Sequence, residues 1–206
     1  MLQDKIELSD RQKDVLKEIG NICAGNAATA LSQFLNRPVT MNVPRVHLVP
    51  VERVPDVVGG ADKLVVTVVL QVLGDAPGIL LLLFPQPDAQ ALSAILTGRD
   101  VGSVFTEFDQ SAIKEAGSIV AAAYLTALSS FTHFGLIPSA PAIIIDMAGA
   151  LVDYILIELA AVTECALVID SEFIEQRHCV CGHFFLLPNP GSMEAILQAI
   201  GELHGK

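Results

Sequence analysis

KEIGNICAGNAATALSQF (residues 17–34) and KEAGSIVAAAYLTALSSF (residues 114–131) are two versions of one segment. Lys17, Glu18, Gly20, Thr29, Ala30, Leu31, Ser32 and Phe34 all recur 97 positions later. The approaches match too. Ser9 is followed three residues on by Gln12, a capping-box pattern, and Thr106 by Asp109, a shortened version of it. So do the endings: GILLLLFPQPDAQALSAILTG (78–98) and GHFFLLPNPGSMEAILQAIG (182–201) each run from an apolar strand through a Pro-x-Pro break into an amphipathic helix. The offset there is 103, so the second half carries about six extra residues in its middle.

The repeat organises the rest of the chain. Each half reads as long helix, strand, variable segment, two strands, short helix. Strands are expected near 43–50, 63–73 and 78–84, then near 141–145, 163–174 and 179–187. The variable segment is the Pro/Gly-broken PVERVPDVVGG (50–60) in the first half and a helix, MAGALVDYILIELAAV (147–162), in the second. The expected fold class is α/β (α+β): a two-layer, duplicated domain with a pseudo-twofold axis. A continuous β-sheet is covered by two long homologous helices plus short ones. Each half alone would leave a sheet edge and a helix face bare, so residues 1–206 count as one domain of two repeats, about 1–100 and 101–206.

Composition bounds the setting. Apolar residues make up 52% of the 206, enough for a substantial core. No apolar run reaches the ~18 residues of a spanning helix, and the N-terminus lacks an apolar signal core, so a cytoplasmic protein with no membrane insertion is expected. Net charge is −11 with no basic run, which argues against nucleic acid. Four cysteines in a cytosolic chain of this size do not suggest a disulfide framework.

The first long helix carries the candidate chemistry. Glu18 and Asn21 lie three residues apart and share a face, which Asp14 extends by a turn. Asn is a poor residue for a helix interior, because its side chain competes for backbone hydrogen bonds, so its presence needs a reason. Leu16, Ile19, Ile22, Cys23 and Ala27 are expected on the packed side. Gly20, Ala24, Gly25 and Ala28, with Asn26, are expected to serve tight packing.

The pattern Asp14-x3-Glu18-x2-Asn21-x22-Pro44, with its flank EIGNICAGNAATAL, resembles the signature of the CheC, CheX and FliY family of chemotaxis phosphatases, and the two bare repeats are most similar to its CheC branch. The second half repeats the pattern with one change, as Ser111-x3-Glu115-x2-Ser118-x22-Pro141. The resemblance implies hydrolysis of the aspartyl phosphate of the response regulator CheY. It implies that Asn21 orients the attacking water and that Glu18 pairs with the regulator's lysine. No cofactor is implied on this chain, since the regulator supplies the Mg²⁺. Asp14 is then either a partner contact or part of a solvated face, and Pro44 and Pro141 shape the strand beside each helix. Ser118 lacks the amide, so the Glu115–Ser118 site is expected to be degenerate. The alternative reading is a non-catalytic adaptor that binds the response regulator or the receptor deamidase CheD. The segment IIIDMAGA resembles the family's CheD-linked region, which makes Asp146 a candidate partner contact; its plainer role is a helix N-cap.

RHCVCGHF (177–184) places Cys179, Cys181 and His183 on one strand face. Zinc sites more often draw their cysteines from turns at Cys-x2–4-Cys spacing, so no metal site is assigned. Neither a Gly-x-Ser-x-Gly elbow nor a phosphate-binding glycine loop is present.

Overall fold

The computed structural model describes residues 8–99, 102, 104–158, 165–175, 178–189 and 191–202. Both long helices begin and end where their end chemistry dictates. Helix α1 spans Asp10–Leu35 and α4 spans Glu107–Thr132. Ser9 Oγ accepts the Gln12 N–H at 3.2 Å, and Gln12 Oε1 accepts the Ser9 N–H at 2.9 Å. Thr106 and Asp109 repeat the exchange at 3.3 and 2.9 Å, so the shortened box closes fully. At the other end Asn36 (φ 51°) and His133 (φ 60°), again matched in the repeat, take the left-handed conformation that stops a helix.

Between and after these helices come β1 (Thr40–Pro50), a 3-10 turn (Val51–Arg53) running into α2 (Val54–Val57), β2 (Leu64–Gly74), β3 (Gly78–Pro85) and α3 (Gln86–Thr97). The second half follows α4 with β4 (Leu136–Pro138), β5 (Ala142–Met147), α5 (Ala148–Glu158), β6 (Cys165–Glu175), β7 (His178–Pro188) and α6 (Ser192–Glu202). All strand pairs are antiparallel, in the order β1-β6-β7-β3-β2-β4, with β5 continuing the line of β4 along β2. The order is a palindrome about the β3–β7 pair. Each half gives its first strand to the other: β1 pairs with β6, and β4 and β5 pair with β2.

Alternation along the strands sorts side chains to two faces. Val66, Val68, Leu80, Leu82, Leu167, Ile169, Phe184 and Leu186 point to the main core with α1, α3, α4 and α6. Tyr124 of α4 stacks on Phe184 with ring centroids 4.2 Å apart, fastening helix to sheet. Val65, Leu81, Leu83, Val168, Phe185 and Leu187 point the other way, under a thinner cover of Val51, Val54, Leu151, Val152 and Ile155. The two expected layers form the body, and this smaller layer adds a cover on the far face.

Three expectations need correction. The broken segment 50–60 is helical over Val51–Val57, because Pro55 sits in the first turn, where a missing N–H costs nothing. The strand expected near 141–145 is two pieces, β4 and β5, interrupted at residues 139–141. Asp146 is not an N-cap: it lies in β5, paired with Val65, and its Oδ1 accepts the Met147 N–H at 2.7 Å. The expected helix 147–162 is seen to Glu158 and the strand 163–174 from Cys165; residues 159–164 lie outside the described part.

Candidate functional face on the first helix

Helix α1 is held on one side and open on the other. Leu16, Ile19, Cys23, Ala27 and Leu31 are buried on the core side. Each large apolar side chain there contributes on the order of 1.5–3 kcal/mol. Gly20 lets the helix approach β1: a Cβ at that position would lie 3.1 Å from Val43 Cγ1. Val43 is brought there by a bulge. Asn42 to Arg45 holds one residue more than the partner stretch Asp170–Glu172, and Pro44 lies within it, where the ladder needs no donor. Pro138 to Ala142, containing Pro141, likewise holds one residue more than Val69–Val72. The two prolines of the motif therefore mark matched bulges in the first strand of each half. Pro141 is half-buried; the side chain of Pro44 lies outside the described part.

The open side bears Asp14, Glu18 and Asn21, all exposed. Among the described residues, none of the three makes a side-chain hydrogen bond or ion pair within the chain. A carboxylate and an amide are thus presented on a helix fixed by its cap and core, free to bond to something outside. Ile22 joins this face, 40% exposed, and is not on the packed side as its neighbours Ile19 and Cys23 suggested. Gly25 and Asn26 are exposed as well, and a Cβ on Gly25 would meet nothing within 4 Å. Their expected packing role is therefore wrong. The helix buries a narrower arc than its run of small residues implied, with Gly20, Ala24 and Ala28 carrying the close contacts.

On α4, Ser111 and Glu115 are exposed and Ser118 is half-buried. Gly117 approaches β2, with a built Cβ 2.9 Å from both Val68 methyls. Since β1 and β2 lie toward opposite flanks of the sheet, the two faces are not brought together into one site. Asp146 is exposed on the edge strand β5, next to Met147, which is 54% exposed.

Elsewhere, Asp170 accepts bonds from His183 Nδ1 and Arg45 Nε, both at 2.9 Å. Burial tends to raise its pKa, but these bonds outweigh it and hold the carboxyl below its ordinary value. Cys179 and Cys181 are exposed on β7 and, like the buried Cys23, carry free thiols. Among the described residues no cluster of three or more His, Cys, Asp or Glu could hold a metal ion, and no helix is long and apolar enough to cross a membrane.

Residues 12–48 match the model of the CheC-like family. The chain is 36% identical over 202 residues to the CheY-P phosphatase CheC of Bacillus subtilis, covering 94% of this chain and 96% of that protein. It is 29% identical over 127 residues to the flagellar motor switch phosphatase FliY of the same organism, covering 60% of this chain and 33% of that one. The crystal structure of Thermotoga maritima FliY shares the fold, with a TM-score of 0.76 at 21% identity, covering 97% of this chain and all of that chain.

Proposed function

Because the chain belongs to the CheC-like family, we propose that it is a hydrolase acting in chemotaxis signalling, in the cytoplasm. It removes the phosphoryl group from the aspartyl phosphate of a CheY-type response regulator. Water attacks phosphorus, the bond to the aspartate oxygen breaks, and the products are the regulator's free carboxylate and inorganic phosphate. Such a transfer demands positioning and charge stabilisation more than covalent chemistry. The regulator brings the phosphoryl group, its Mg²⁺ and its lysine; this chain adds a rigid amide. Asn21 Oδ1 accepts a hydrogen bond from the attacking water, and its N–H donates to a phosphoryl oxygen. Glu18 pairs with the regulator's lysine and fixes the docking register, with Asp14 extending the contact. The observation that carries this reading is an exposed Asn21, free of partners among the described residues, one turn from an exposed Glu18 on an anchored helix.

Glu115 and Ser111 keep the docking half of the pattern on α4, while the hydroxyl of Ser118 is too short to bridge water and phosphoryl oxygen. Asp146 is the candidate contact for CheD in the adaptor reading, supported by its exposure beside Met147 at the sheet edge. Phosphate release from a phosphorylated CheY-type regulator tests the catalytic reading. Asn21→Ala should lower the added rate by about 100-fold, the scale set by losing a positioning group. Ser118→Ala should leave it within about twofold. Equal losses from both would overturn the asymmetry, and no loss from Asn21→Ala would leave the adaptor.

A further inference from the structure

Gly25 lacks each of the ordinary reasons for a glycine inside a helix. Its backbone is helical, without a positive φ. It is far from either end of α1, so it caps nothing. No atom of the described residues comes close enough to exclude a methyl group. Gly20 and Gly117 differ in that respect, since Val43 and Val68 close over them at 3.1 and 2.9 Å. The Gly25 carbonyl also accepts a bond from Thr29 Oγ1 at 2.9 Å, so it is not left for want of a donor. Alanine would fit without strain and is the better helix former. Nothing among the described residues offsets the loss of stability that glycine brings.

The placement of this gap is specific. Gly25 lies one turn beyond Asn21 and three residues from the exposed Ile22, so the three share the face that Glu18 begins. Its counterpart in the repeat is Ala122, exposed on the helix where Ser118 replaces the amide. The bare position and the amide are thus present together on α1 and missing together on α4.

We propose that Gly25 is a positioning residue for the phosphatase reaction. By leaving the helix backbone bare beside Asn21, it lets the surface of the response regulator seat directly on α1. The short amide then reaches the phosphoryl group. A side chain at this point holds the two proteins apart by on the order of 1 Å or more, and that scale of error costs about 100-fold in rate. The proposal rests on the phosphatase reading above.

The test pairs stability with turnover. Gly25→Ala should raise Tm by about 2–4 °C and lower kcat/KM for the phosphorylated regulator by at least about tenfold; Gly25→Leu should lower it by about 100-fold. A merely structural glycine would move both quantities down together. Wild-type kcat/KM in Gly25→Leu, or a lower Tm in Gly25→Ala, overturns the proposal. Asn21→Ala, run alongside, separates the two ideas. If it is inactive while Gly25→Leu is active, only the role of Gly25 fails. If it matches wild type, the catalytic reading fails, and calorimetric binding of beryllofluoride-loaded regulator decides the rest. Weaker binding by Gly25→Leu then supports the docking gap, and equal binding removes it.

Discussion

Asn21 stands where alanine would make a better helix by roughly 0.5–0.7 kcal/mol. Among the described residues its amide has no partner that would offset that loss. Asn21→Ala should therefore raise stability slightly while it removes activity, a trade expected of residues kept for chemistry. A second residue-level contrast lies in the two capping boxes. Gln12 closes the box on α1 and does not titrate, whereas α4 relies on Asp109. Asp109 is buried, its carboxyl bonded by Thr106 and by Ser93 Oγ at 3.0 Å. The Thr106 hydroxyl leads in holding it below the usual carboxylate range, against the effect of burial. A depressed carboxylate contributes stability above its unfolded value of about 3.9 and loses it as pH falls through the folded value. Asp170 acts in the same direction. These two carboxylates should therefore make stability fall below about pH 4. Asp109→Asn should flatten part of that fall, as read by denaturant midpoints at pH 7 and pH 3.

At the scale of elements, the helix-to-sheet spacing is set by two glycines that differ in tightness. Gly117→Ala would place a methyl 2.9 Å from both methyls of Val68, itself fully buried, and should cost about 1–3 kcal/mol by overpacking. Gly20→Ala meets one Val43 methyl at 3.1 Å. There the gain in helix propensity, about 1 kcal/mol, should nearly cancel the crowding. Urea unfolding of the two variants checks the order. Much at this scale was legible in the chain. The capping boxes marked both helix starts, and the strands expected near 63–73, 78–84, 163–174 and 179–187 became β2, β3, β6 and β7. What was missed depends on distant partners. β4 has three residues and exists as a strand because β2 holds it. The turn of helix at 51–57 was hidden by Pro55, which reads as a breaker unless its place in the first turn is known. The motif residues Asp14, Glu18 and Asn21 could be placed on one face from spacing alone. That Ile22 and Gly25 join them could not, because the width of the buried arc depends on how the sheet and α4 meet α1.

At the scale of the whole molecule, the halves are joined by exchange as well as by sequence. β1 completes the sheet of the second half, and β4 and β5 complete that of the first. Fragments 1–100 and 101–206 should therefore each fail to fold in isolation. Mixed in equal amounts they should recover the helical signal of the intact chain as a one-to-one complex, read by circular dichroism and ultracentrifugation. A folded single fragment would contradict the importance given to the exchange.

The exchange also says something about lineage. A chain of half this length, bearing one such set of elements, would satisfy its dangling strand by lending it to an identical neighbour. The covalent stretch between α3 and α4 turns that reciprocal loan into a property of one polypeptide. Once fused, the two copies are free to diverge, and one face can surrender its amide without dissolving the partnership that keeps the other upright.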